Sequence, residues 1–453
     1  MPNFLASYQS LIVSVIVTVI LLALVIALFK LLRQVFLFYK QLLYKNVIEW
    51  TLLELRIPRE VLKTPRAMEQ FFINIHSLKN EAGDLKEKYI DGEVPLWWSL
   101  EIIGLRNEVH FYIRTPKKHR KIVESALYAQ YPNIEVAEVK DYVKKIPETT
   151  KEIYESNENI FGSELNLSKE DYYPIITYER FYERLEMAQK EEKEQTTIDP
   201  LSVLIESLAG LHKEETIFIQ ILIAPVGDDW KAEGKDFVNE KLGKGKKKKG
   251  GGFNQIFSEW MKNLLWAPAE HPVWADKKES ESKEAPNISD YEDMKAVEDK
   301  LSKHGFETLI RYIYIAPNPI FNMNFATKGV RSALNQYSSA KSNSFNQNVK
   351  FWTLIKGYLF PYVYINKRLE ARKQRFLNNY IKRALPEKLL FGKFFTSHIF
   401  NFNNKSKTSI LVTSELATIF HIPNKRILTA PHIERMESRK MGPPAGLPIF
   451  EEE

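Results

Sequence analysis

The first twenty-nine residues contain no Lys, Arg, Asp or Glu. Within them, Leu11 to Phe29 reads LIVSVIVTVILLALVIALF. As a helix this run would rise about 28 Å, close to the roughly 30 Å hydrocarbon core of a bilayer. A core helix of a soluble protein rarely lacks charge on every face. A secretory signal normally opens with a positive region and closes on small residues. Here no positive side chain precedes the run, and it ends in Phe29–Lys30–Leu31–Leu32–Arg33. The expectation is a transmembrane helix. Lys30, Arg33, Lys40 and Lys45 all lie on its C-terminal side, so the positive-inside bias places the bulk of the chain in the cytoplasm with a short N-terminus outside. The stretch that follows, LLRQVFLFYKQLLYKNVIEWTLLELRIP, continues in helical rhythm. Two readings of it stay open: a helix along the inner membrane surface, or a core helix packed on the first soluble unit.

The rest of the chain has the composition of a folded protein. At 453 residues there is room for two or three domains, and 44% apolar with 27% charged residues is ordinary for such domains. The net charge of +7 suits anionic lipid or nucleic acid and identifies neither. With no cysteine, disulfides, thiolate metal sites and thiol catalysis are excluded.

The fold class expected is α/β (α+β). After the membrane and juxtamembrane helix of 1–50, a first module spans 51–145. RAMEQFFINIHSLK is a helix, WWSLEIIGL and EVHFYIRT are strands joined by Arg106–Asn107, PKKHRKIVESALYAQYP is a helix and NIEVAEV a strand. That order is most of a ferredoxin-like plan. Residues 146–198 read as a charged linker or helix. A second α/β module, 199–345, has PLSVLIESLAGL, ETIFIQILIAPV, DMKAVEDKLSKHGF, ETLIRYIYIAPN and ATKGVRSALNQYSSA in helix–strand–helix–strand–helix order. It reads as a divergent repeat of the first. A basic helical region (346–408) and a strand–helix segment with a Pro-rich tail (409–453) complete the chain.

Within the second module, an insertion at 228–289 holds GKGKKKKGGG. It is not a P-loop: Gly251 and Gly252 stand where Lys and Ser/Thr are needed, and no strand leads into it. Five lysines among glycines repel one another and bury nothing, so a disordered solvated loop is expected. Lys244, Lys246, Lys247, Lys248 and Lys249 are the first candidates for contact with anionic lipid or nucleic acid. Lys367, Arg368, Arg372, Lys373 and Arg375, in NKRLEARKQRFLNNYIKR, are the second set. The bland reading of that helix is a solvated face. No other chemistry is legible. The nine histidines have no metal-binding spacing and there is no Gly-x-Ser-x-Gly elbow. Asp228–Asp229–Trp230 reads as a structural turn, and Trp97–Trp98 as the start of a half-buried strand. No cofactor, metal or catalytic residue is expected.

The segment SILVTSELATIFHIPNKRILTAPHIERMESRKMGPPAGLP adds a resemblance. It begins as a strand, and Thr413 or Ser414 then caps a short helix broken by Pro423. It resembles the stretch preceding the nucleotide-binding core in bacterial membrane-anchored ATPases of type IV secretion and conjugation, the HerA–TraG-like coupling proteins. EVHFYIRTPKKHRKIVESALYAQYPNIEVAEVKDY and TIFIQILIAPVGDDW support the match. The resemblance implies a bacterial inner-membrane location and a RecA-like ATPase domain next in order. No Gly-x-x-x-x-Gly-Lys-Ser/Thr occurs before Glu453. That domain is therefore expected on a separate polypeptide, lost, or cut away from this sequence. The function expected is a non-catalytic, single-pass scaffold for such an ATPase in DNA or protein transport. The alternative is a membrane-tethered nucleic-acid-binding protein. The partners implied are the lipid bilayer, a separate P-loop ATPase, further copies of the chain, and nucleic acid on the alternative reading.

Overall fold

In the computed structural model the apolar run belongs to one long helix, α1 (Pro2–Val47). The structure describes residues 2–58, 63–180, 199–242, 288–355, 363–389, 392–393, 405–423 and 435–436. From Val13 to Arg33, α1 is exposed on every side. Among the described residues it is the one helix long and apolar enough to cross a membrane. Its last turns are docked on the body. Leu37 and Phe38 are buried, Phe38 lies close to Gly392, and Lys45 pairs with Glu387 at 2.8 Å. Gly92 sits against the Lys40 backbone in a left-handed conformation, φ 72°.

The helix ends at Val47 and a strand begins at Trp50, where the sequence reading extended the helix. Leu53, Leu55 and Ile57 alternate with Glu54 and Arg56, so one face of an extended chain is apolar and the other polar. This strand, β1 (Trp50–Pro58), completes the first module with α2 (Arg66–His76), β2 (Trp98–Leu105), β3 (Glu108–Pro116), α3 (Arg120–Gln130) and β4 (Glu135–Val139). The sheet order is β4-β1-β3-β2, antiparallel throughout, which is the full ferredoxin-like arrangement. Arg106 and Asn107, at φ 54° and 67°, make the β2–β3 hairpin turn with both central residues left-handed. That conformation matches the twist of the two strands.

The second module starts earlier than the sequence suggested. The stretch 146–198 supplies α4 (Thr150–Glu155) and the strand β5 (Glu158–Leu167). With α5 (Ser202–Ala209), β6 (Thr216–Pro225), β7 (Gly305–Pro317), α8 (Met323–Leu334) and β8 (Phe345–Trp352), it repeats the same plan. Its order is β8-β5-β7-β6, again antiparallel. The insertion lies between β6 and β7. Its described ends form a 3-10 turn at Asp228–Trp230 and two packed helices, α6 (Lys231–Lys241) and α7 (Ile288–Ser302). The lysine–glycine stretch itself lies outside the described residues.

The two modules share one sheet. β2 pairs with β6 in antiparallel register from Trp98↔Ile223 to Leu105↔Thr216. The second strand of each unit therefore meets its counterpart, which relates the units by an approximate two-fold axis through the join. Two short strands are added at the C-terminal end. β9 (Ser409–Val412) pairs with the start of β7, and β10 (Arg435–Met436) runs parallel to the end of β1.

Helices α2, α3, α5 and α8, with α10 (Thr413–Ile419), cover one face. Phe71, Phe72, Leu127, Leu204, Val330 and Leu416 pack there on alternate strand residues. An antiparallel sheet can leave its second face in water. Here that face is covered by α9 (Ile365–Ile381), whose Phe376, Leu377 and Tyr380 meet Ile103, Phe218 and Ile313.

Candidate functional site

Beneath α9 the sheet carries a row of polar side chains in register. Glu101 of β2 is paired with Gln220 of β6, Gln220 with Arg311 of β7, and Arg311 with Glu164 of β5. All four are buried. Each lies within a largely apolar strand, in SLEIIGL, FIQILI, LIRYIYI and FGSELNL. Polar groups taken out of water cost several kcal/mol unless they find partners, so their partners define what the row does.

The end of α9 supplies most of them. Arg383, buried and left-handed at φ 50°, reaches Glu101 with Nε–Oε1 at 2.6 Å and Nη2–Oε2 at 3.0 Å. Its Nη1 and Nη2 also donate to Asp141, at 2.7 and 2.9 Å. Burial opposes the Arg383 charge, but Glu101 and Asp141 outweigh it and hold its pKa well above the ordinary value. Nearby, burial and the like charge of Arg383 push Arg114 down to about 9. Ser99 Oγ donates to Glu101 at 2.5 Å. Gln220 Nε2 donates to the Tyr380 carbonyl at 3.3 Å. Arg311 donates to the carbonyls of Asn379 and Ala384, both at 2.6 Å, and lies 3.5 Å from Glu164. Ser406 Oγ donates to Glu164 at 2.5 Å. Burial raises the Glu164 carboxyl to about 7, against the pull of Arg311 and Ser406. The row clamps α9 and the residues after it onto the join between the modules.

The basic candidates on α9 are placed by this clamp. Arg368 and Arg372 are buried and turned inward; Arg372 Nη1 donates to the Leu354 carbonyl at 3.4 Å. Arg375 lies over the Phe351 ring at 5.5 Å. Lys373 donates to Tyr154 Oη at 2.9 Å and Asn159 Oδ1 at 3.2 Å. Lys367 alone of the five is exposed. Arg368 and Arg372 thus face the protein, and Lys373 and Arg375 are half-buried against it. Lys244, Lys246, Lys247, Lys248 and Lys249 lie outside the described residues.

The SELATIFHIP segment forms a second buried network. Glu415 accepts from the backbone N–H of Ile175 and of Val412, both at 2.9 Å, and pairs with Lys300 at 3.0 Å. It takes the helix-start role expected of Thr413 or Ser414, while Thr413 donates to Glu69 at 3.1 Å. Thr418 Oγ1 accepts from Tyr178 N at 2.9 Å, and His421 contacts Ala417 O and Asp199 Oδ1, each at 2.8 Å. The Lys300–Glu415 pair also borders a cavity of ≈ 450 Å³, whose other lining residues include Arg180, Lys295, Asp299 and Lys303. Acidic and basic residues are mixed in its lining, so it favours neither an anion nor a cation.

Of two smaller expectations, one is met: Asp228 lies in a short turn, where Lys231 at 2.7 Å lowers its pKa. The other is corrected: Trp97 and Trp98 stand at the start of β2, but that strand is buried on both faces rather than half-buried, because helices cover each side of the sheet. The two indoles donate to Arg383 O and Thr115 Oγ1, both at 3.0 Å. Among the described residues, no group of three or more His, Asp or Glu is arranged to hold a metal ion.

Residues 39–435 match the family model of a domain of unknown function, DUF8128. A comparison with curated proteins finds no match.

Proposed function

As the chain belongs to the DUF8128 family, a domain of unknown function, we propose from its geometry that it is a single-pass membrane scaffold. In this reading α1 spans the bacterial inner membrane, with its short N-terminus outside. The double ferredoxin-like body stands at the cytoplasmic surface and positions a HerA–TraG-type ATPase for transport of DNA or protein. Its contribution is binding and orientation.

The observation that carries the reading is the division of labour along α1. Val13 to Arg33 is exposed on all sides. Leu37 and Phe38 are then buried in the body, and Tyr44 and Ile48 pack against the cluster containing Val94, Trp97 and Leu222. A helix docked in this way fixes the body's height and tilt relative to the bilayer, which a flexible linker would not. The cations Lys30, Arg33, Lys40 and Lys45 support the orientation. The resemblance of the SELATIFHIP segment to coupling proteins supports the choice of partner.

The test has two parts. Membranes are washed with alkaline carbonate, and the chain is expected to stay in the pellet; release into the wash would remove the anchor. The tagged chain is then purified in mild detergent, and a P-loop ATPase is expected with it. Recovery of the intact chain without one would remove the partner and leave the anchor standing.

A further inference from the structure

The docked half of α1 uses only one of its faces. Gln34, Leu37, Phe38, Gln41, Tyr44 and Lys45 turn towards the body. On the opposite side lie Leu32, Phe36, Tyr39, Leu43 and Asn46, exposed in every case; Phe36, Tyr39 and Leu43 are 48%, 57% and 44% exposed. Their spacing is four, three, four, three, which is the a/d seam of a left-handed coiled coil. The same register continues back through Phe29, Val25, Leu22, Thr18 and Val15, all exposed. The four cations of the helix, Lys30, Arg33, Lys40 and Lys45, all fall outside the seam.

Lipid does not account for the lower part of this stripe. Tyr39 to Asn46 lie roughly 15–25 Å beyond Phe29 along the helix. The head-group layer of one leaflet is only about 5–8 Å deep. Sliding the helix outward to cover them would pull Lys30 and Arg33 into hydrocarbon, which costs about 2.5–3.5 kcal/mol for each charge at the bilayer centre. An apolar stripe standing in water is a contact surface waiting for its partner.

We infer that this stripe is the seam of a parallel self-association, in which α1 of one copy packs against α1 of a second copy from the membrane into the cytoplasm. The inference rests on the membrane reading of α1. Two copies anchored by the same helix, in the same direction, present the same stripe at the same depth, so the seam meets itself in register. The parallel arrangement also avoids like-charge contact. Arg33 and Lys40, which flank the seam, would lie across from Leu28 and Val35 of the other helix under the usual heptad pairing.

The natural chain has no cysteine, so any cysteine introduced is the sole thiol. Phe36→Cys, Tyr39→Cys and Leu43→Cys are made in the full chain, with Leu31→Cys as an exposed position off the seam and Gln41→Cys as a position facing the body. Native membranes are oxidised with copper phenanthroline, and the same preparations are washed with alkaline carbonate. The expected result is a species of twice the chain mass at the three seam positions, several-fold above both controls. In cells carrying two differently tagged copies, it contains both tags. Absence of cross-linking at the seam, or equal cross-linking at seam and control positions, overturns the inference while carbonate-resistant chain leaves the membrane anchor intact. A cross-linked species of another mass assigns the seam to a different protein and overturns it too. Release by carbonate overturns both, because the depth argument depends on the bilayer.

Discussion

Arg383 offers the sharpest test of the clamp under α9. Its guanidinium is 1% exposed and meets Glu101, which is fully buried. Removing one partner of a buried pair leaves the other charged and dry, a loss of about 3–5 kcal/mol. Glu101 would keep the hydrogen bond from Ser99 Oγ at 2.5 Å, which offsets about 1 kcal/mol. Arg383→Met should therefore cost about 3 kcal/mol, towards the low end of that range. Asp141, the second acceptor, is 29% exposed and can turn to water. Glu101→Leu combined with Arg383→Met removes both charges and fills the space with apolar atoms, so the double variant should recover most of the loss. The assay is urea unfolding of the detergent-solubilised chain followed by fluorescence of its 8 tryptophans. A loss below about 1 kcal/mol for Arg383→Met, or a double variant that loses the sum of the two single changes, would refute the clamp.

Three further outcomes follow from the same architecture. Because burial raises the Glu164 pKa, the folded state favours its protonated form; the stability this brings is whole below the ordinary 4.5 and is lost as pH rises through about 7. Unfolding measured from pH 5 to pH 8 should thus fall less steeply in Glu164→Gln, by up to about 1.4 kcal/mol per pH unit in that window. A Cβ on Gly162 would stand 2.5 Å from the Phe376 ring, so Gly162→Ala should cost about 1–3 kcal/mol and increase amide exchange in α9. A Cβ on Gly92 would meet the Lys40 backbone at 2.5 Å, at a φ of 72°. Gly92→Ala should cost at least about 1–2 kcal/mol and expose the bond after Lys40 to trypsin, whereas unchanged digestion would mean that this loop does not hold α1.

Much of this was legible in the sequence, and the exceptions have physical causes. The long apolar helix follows from hydropathy alone. Both modules show their helices and most of their strands through periodicity. β1 was obscured because Leu52 to Leu55 continue the leucine-rich rhythm of α1; the alternation of Leu53, Glu54, Leu55, Arg56 and Ile57 was the signal that a strand had begun. β5 was obscured because Gly162 and Ser163 break its apolar run. The polar row left a trace too, since Glu101, Glu164, Gln220 and Arg311 each stand in a largely apolar strand. Only the pairing registers show that the four lie side by side. The charge of α9 misled in the opposite way, because composition cannot distinguish an arginine that faces solvent from one that faces a carbonyl.

The connection between α1 and the sheet also has a mechanical meaning. α1 leads, with only Ile48 and Glu49 between, into β1, which is laddered to β3 on one side and to β4 and β10 on the other. Tension on the buried end of such a helix reaches a strand paired on both sides rather than a free edge strand. To draw β1 out, a pull would have to shear both flanking ladders together instead of peeling one strand away bond by bond. A load applied through α1 therefore meets a tether that yields late and all at once.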